Sequence, residues 1–345
     1  MKLLKILALA ITLSSIITVT GCGTQKVQQS TPQLSTQSSS TDKNTSKEEN
    51  KVTSIDAASQ NMRNLLKDMK TQLANKEDAK VTEGGTKLEE AWKQFEDKFE
   101  EDLKDKYLDL YVKIEDPLEI IEAAAKVKPL DTNVINSSID SLNKELVELQ
   151  KRNATTTGIE NMKAALKEMS AQLANKEDDK AIKTSDKLEE NWKLFEDGIK
   201  DNYKDLYEKV EAPLGTIKAA VKVKPLDTKV LSSGIAELDK TLGQLQNAIA
   251  FSTAPQDMKT ALKKINKFVS PLNEEKVTKY ADRLEKYWSS LEDTVKAKNP
   301  ALYEKVEGPL GIIEAGVKVK PIDGKAITAA IEALDKVLTE VQNLK

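Results

Sequence analysis

From residue 56 onward the chain states one pattern three times, and this repetition limits the possible folds more than any other feature. Asn61-Met62 recurs as Asn161-Met162, and Met258 takes the place in the third copy. QLANKED at 72–78 returns at 172–178, and each copy has one tryptophan: Trp92, Trp192 and Trp288. YVKIEDPL at 111–118 becomes YEKVEAPL at 207–214 and YEKVEGPL at 303–310. KVKPLD at 126–131 and 222–227 becomes KVKPID at 318–323. Between its Trp and Tyr motifs the first copy carries four extra residues, close to one helical turn. The apolar face therefore stays nearly in phase, and a helix running through the insertion is predicted.

Apolar spacing within a copy has the helical period throughout. In the middle copy Met162, Leu166, Met169 and Leu173 form a first stripe; Leu188, Trp192, Phe195 and Ile199 form a second. Tyr203, Tyr207, Val210, Leu214, Ile217 and Val221 form a third, and Ile235, Leu238, Leu242 and Leu245 a fourth. All four are amphipathic helices rather than strands. Loops are expected at 175–179 and 224–227, where Pro225 ends one helix and Asp227 caps the next. A further break near Asp201 and Asn202 is made explicit in the third copy by Asn299-Pro300. Pro213 should kink the third helix or begin a new segment.

Four amphipathic helices with short connections, none able to bury its stripe alone, predict an up-down-up-down bundle. About 95 residues suffice for a separate core. The expected architecture is therefore all-α: three tandem up-down-up-down four-helix bundles after a disordered tether. The copies are placed at 56–152, 153–250 and 251–345, joined near 152–157 and 248–255.

Composition narrows the chemistry. The chain has no histidine and one cysteine, which excludes imidazole catalysis, His-based metal sites, an internal disulfide and a CxxC pair. Net charge is −3, so no electrostatic footprint for nucleic acid is present and no nucleic-acid partner is expected.

The N-terminus reads as an address. Lys2 and Lys5 precede an apolar run at 6–19, which predicts a signal peptide over 1–21. Val19-Thr20-Gly21-Cys22 resembles the lipobox of bacterial lipoproteins, which implies diacylglyceryl transfer to Cys22 and cleavage before it. A lipoprotein carrying palmitate-like chains would be held on the cell membrane at about 0.8 kcal/mol per buried CH₂. Residues 22–55 form the predicted tether, with a Ser/Thr/Gln-rich stretch too polar to order itself and a reach of roughly 30 Å. The expected location is extracytoplasmic, lipid-anchored to the bacterial cell membrane.

The tryptophans lie on apolar stripes and read as core anchors. Two acidic positions recur beside them. Trp-x-x-Phe-Glu places Glu96 and Glu196, with Glu292 in the third copy. Tyr-x-x-(Ile/Val)-Glu places Glu115, Glu211 and Glu307. On a helical projection Glu196 lies about 40° from Trp192, and Glu211 about 40° from Tyr207 in the same sense. On antiparallel neighbours the two glutamates either meet or both point away. If they meet, a cation must lie between them. Hard, oxygen-preferring ions such as Fe³⁺, Fe²⁺, Ca²⁺ or Mg²⁺ suit such a pair. Lysines such as Lys222 and Lys224 are the competing source of charge.

The pattern Trp-x-x-(Phe/Leu)-Glu-Asp, Leu-Tyr-x-Lys-Val-Glu-x-Pro-Leu and Val-Lys-Pro-(Leu/Ile)-Asp resembles the extracytoplasmic helical domain of some bacterial iron permeases. The resemblance covers all three copies. It implies that Glu96, Glu115 and their counterparts handle iron, and that an iron permease or other envelope protein is a partner. The permeases' Arg-Glu-x-x-Glu membrane helices are absent, as is the His-x-x-Glu motif of imelysin-like lipoproteins. Two functions follow: a metal-binding lipoprotein serving iron transport, or a structural and protein-interaction lipoprotein whose repeats are spacers or docking faces. Carboxylates alone can do acid–base work, but the chain has few of the aromatics and loops that frame a substrate cleft, so no enzyme activity is expected.

Overall fold

The computed structural model describes residues 53–344. The expected signal peptide at 1–21, the lipidation site Cys22 and the tether up to residue 52 lie outside the described residues. Among the described residues the protein is all-α, with twelve helices: α1 (Ile55–Ala74), α2 (Asp78–Lys106), α3 (Leu108–Lys126), α4 (Thr132–Ala174), α5 (Asp178–Lys193), α6 (Glu196–Asn202), α7 (Lys204–Ala220), α8 (Thr228–Val269), α9 (Glu274–Ser289), α10 (Glu292–Lys298), α11 (Pro300–Lys318) and α12 (Gly324–Gln342).

The helix boundaries follow local chemistry. Ser54 accepts from the Ala57 N–H, so α1 begins at Ile55, inside the stretch assigned to the tether. Asp131 and Asp227 each accept from two backbone N–H groups, opening α4 and α8, and Asp323 caps α12 in the same place. Asn299 caps α11, with Pro300 at its first turn, where a missing N–H costs nothing.

Three separate apolar cores form, one per copy. The first is enclosed by α1, α2, α3 and the start of α4; α1 packs on α2 and α4, and α3 on the same two helices. The copies are not joined by linkers. α4 runs for 43 residues through 152–157, and α8 for 42 through 248–255, with Pro255 inside it. Each helix is thus the last of one copy and the first of the next. At 1.5 Å per residue α4 is about 64 Å long, so the loops at its two ends are far apart. Its stripe turns by about 80° between Leu149 and Ile159, which aims its two halves at different cores.

Two further expectations are corrected. The second stripe of the middle copy is not one helix: it breaks at Leu194 and Phe195, with Phe195 at φ −138°, and the third copy repeats the break between α9 and α10. In the first copy α2 runs unbroken through the four-residue insertion. Nor does Pro213 begin a new segment. α7 continues through it, as α3 and α11 continue through Pro117 and Pro309. Pro213 is buried, so packing outweighs the lost hydrogen bond.

The first and third copies touch. Leu108, at the start of α3, is fully buried within the third copy's core. Beside it Arg283 donates to Asp105 at 3.0 Å and Glu101 at 2.7 Å, while Lys279 and Lys286 reach the same two carboxylates at 2.7 Å.

Candidate functional site

Each copy builds the same cluster where its tryptophan meets its tyrosine. Trp92 and Tyr111 have ring centroids 5.6 Å apart; Trp192 and Tyr207 repeat this at 5.6 Å, and Trp288 and Tyr303 at 5.9 Å. Phe95 and Phe195 meet their tryptophans edge-on at 5.5 and 5.1 Å, the arrangement the ring quadrupoles favour.

The six glutamates singled out by the pattern surround these rings. In the middle copy Trp192 Nε1 donates to Glu211 at 2.5 Å, and in the third Trp288 Nε1 donates to Glu307 at 2.6 Å. In the first copy Tyr111 Oη donates to Glu96 at 2.5 Å, with Glu115 also in hydrogen-bonding reach of the same hydroxyl. Glu196 with Glu211, and Glu292 with Glu307, both act on their tyrosines, raising the phenol pKa in addition to burial. In the first copy the two glutamates therefore meet at the tyrosine hydroxyl, while in the other two copies the tryptophan-bonded glutamate is the one with a direct partner. The projection that placed Glu196 relative to Trp192 does not hold, since α5 ends before Glu196.

The positive charge comes from an unanticipated place. Lys104, Lys200 and Lys296, each seven residues before its tyrosine, lie 4.6, 5.8 and 4.7 Å from the ring centroids. This is cation–π geometry on the tyrosine of each cluster, and Lys104 is also ion-paired to Glu100. Lys264 of the third copy adds an ion pair to Glu115 at 3.6 Å. Lys224 instead pairs with Asp179 at 3.3 Å, near the loop end of its helix. Each lysine sits at the end of one helix and its tyrosine at the start of the next, so the constant seven-residue spacing across the break was the only trace of these contacts in the sequence. Burial, followed by the neighbouring Glu115, raises the Glu96 pKa despite its bond from Tyr111.

A second acidic position varies from copy to copy. Three residues before each tryptophan stand Glu89, Glu189 and Glu285. Glu89 has Lys126 at 3.7 Å, and Glu189 has Lys218 at 2.6 Å and Lys193 at 2.8 Å. Glu285 instead faces Glu314. Burial, then that like-charged neighbour, pushes its carboxyl up to about 7. Among the described residues no group of three or more His, Cys, Asp or Glu side chains is arranged to hold a metal ion, and no helix is long and apolar enough to cross a membrane.

Compared with known proteins, the chain matches no family model, and neither a curated protein nor a solved structure resembles it significantly. The likeness to iron-permease domains stands on the quoted motifs alone.

Proposed function

We propose that this chain is an extracytoplasmic lipoprotein that acts as a non-catalytic helical scaffold. Cys22 is its lipid attachment, the polar stretch after it is a tether, and three tandem up-down-up-down four-helix bundles at 56–152, 153–250 and 251–345 form the folded part. Its repeats serve as spacers or docking faces for envelope proteins. One observation carries this reading: Glu96, Glu211 and Glu307 each accept a hydrogen bond from a tyrosine or tryptophan of the same copy, and Glu115 is ion-paired to Lys264. A carboxylate with such partners orders the interface between two helices and needs no ion. Mass spectrometry of the protein purified from its bacterial membrane tests the anchor. Acyl chains on an N-terminal Cys22, and release of a Cys22→Ala variant from the membrane, are expected; an unmodified, soluble wild type would contradict it.

The second reading is iron or another hard cation held at the glutamate pairs and passed to an uptake permease. What favours it is the third copy, where Glu314, Glu292 and Glu307 all bear on the part-buried Glu285. Metal titration separates the two readings.

A further inference from the structure

Where the first and third copies meet, two aspartates are buried against each other. Asp257 of α8 is 2% exposed and Asp109 of α3 is 1% exposed. The Asp109 backbone N–H donates to Asp257 Oδ1 at 2.8 Å, and the two carboxyl groups lie within hydrogen-bonding reach. From α4, Arg152 grips Asp109 with both terminal nitrogens, at 2.9 and 3.3 Å, while its Nε holds Glu148 at 3.1 Å. Lys113 reaches Asp109 Oδ2 at 3.0 Å. Both of these cations contact Asp109 directly, and the direct partners of Asp257 are the Asp109 backbone and carboxyl.

The other charged groups facing this point are already engaged or stand at the rim. On the α2 side Asp105 takes Arg283 and Lys286 of α9. Tyr287 of α9 donates its hydroxyl to the Lys104 carbonyl, and Tyr107 is hydrogen-bonded to Thr156 of α4. Lys106 and Glu160 are exposed. α12 contributes an amide, Gln342, to the neighbouring Gln256 at 3.4 Å.

We infer that the Asp257–Asp109 pair makes the contact between the first and third copies a proton-operated junction, closed while one proton is held between the two carboxyls and loosened when that proton leaves. With the proton on Asp257, its O–H donates to the Asp109 carboxylate, and the buried charge is one anion clasped by Arg152. Without it, two buried carboxylates stand side by side with the same cations. Burial and then the Asp109 charge push Asp257 well above the usual carboxylate range. Burial also pushes Asp109 up, but Arg152 and Lys113 outweigh it and hold Asp109 below its ordinary value. A cleft of about 330 Å³ bordered by Asp257 and Arg152 gives the proton a route to solvent.

The folded chain thus binds a proton that the unfolded chain releases. Its contribution to stability is complete below the ordinary carboxylate pKa and is lost as pH rises toward the raised value. The other copies carry a neutral amide here: Asn61 and Asn161 stand where the third copy has Asp257. Asp257→Asn therefore copies the protonated form with a side chain that this repeat accommodates.

The test uses the whole folded chain, wild type and Asp257→Asn. Infrared spectroscopy with ¹³C-labelled aspartate should show a protonated carboxyl band in the wild type at about pH 6, well above the ordinary aspartate range, and should lose it in the variant. The wild-type thermal midpoint should fall by at least ~2 °C more than the variant's between about pH 5 and about pH 8. Over the same interval, hydrogen exchange at residues 107–112, corrected for its intrinsic pH dependence, should accelerate in the wild type alone. A wild type with no protonated aspartate near pH 6 overturns the proposal without any variant. Equal pH slopes, or equal exchange, in the two proteins overturn it as well.

Discussion

Trp288 donates its indole N–H to Glu307 at 2.6 Å, from the second apolar stripe of the third copy to its third. The same bond joins Trp192 to Glu211. A charged acceptor on a fully buried indole explains why tryptophan and glutamate recur together at a spacing of nineteen residues in both copies.

The bond should be visible in a double-mutant cycle. Trp288→Phe removes the donor and part of the ring, and Glu307→Ala removes the acceptor. Each should destabilise the chain, and the double variant should cost less than the sum by about 1–3 kcal/mol, the worth of a hydrogen bond to a charged group. Urea unfolding of the four proteins measures the coupling; strict additivity would separate the two residues.

Gly158 lies where α4 passes from the first core to the second, and a Cβ there would collide with the Phe195 ring. Gly158→Ala is expected to destabilise by about 1–3 kcal/mol through overpacking. Gly243 lies inside the equivalent helix α8 with open space around it. Gly243→Ala should stabilise by about 0.5–1 kcal/mol from helix propensity alone. Thermal midpoints moving in opposite directions check both.

Much of this fold is legible in the sequence, and what is not has physical causes. The 4, 3, 4 spacing of Met162, Leu166, Met169 and Leu173 fixes a helix face, and Asp227 marks where α8 starts. The run through 152–157 reads as a joint because its threonines are poor helix formers; tertiary packing holds it helical. Pro255 hides the continuity of α8 for the same reason. Whether a glutamate pair meets was open on a projection, since handedness alone allows two outcomes. The junction of Leu108, Asp109 and Asp257 has no periodic signature, as its partners are about 150 residues apart. Its one trace was an aspartate where the other copies have asparagine.

Leu108 belongs by sequence to the first copy and by packing to the third. Leu108→Ala should cost about 2–5 kcal/mol, as for other buried leucines. Hydrogen exchange should show the loss of protection in α9 and α11 as well as in α3. Loss confined to α3 would contradict the shared core.

Glu285 introduces a pH dependence of its own in the third copy. Its carboxyl is raised to about 7 by burial and Glu314, so its contribution to stability is complete below the ordinary glutamate pKa and lost as pH rises through about 7. The middle copy has Lys218 where Glu314 stands, paired with Glu189. Glu314→Lys should therefore raise the thermal midpoint at about pH 8 and flatten its decline between about pH 5 and about pH 8. An unchanged slope would show that the two carboxyls do not interact.

The central claim is that the glutamate pairs serve the protein's own tryptophans, tyrosines and lysines rather than an ion. Calorimetric titration of the folded chain with Fe³⁺, Fe²⁺ and Ca²⁺ tests it most directly. The account predicts no saturable binding tighter than ~1 mM. Saturable binding below that value, abolished in a Glu196→Gln/Glu211→Gln and Glu292→Gln/Glu307→Gln variant that still folds, would contradict it.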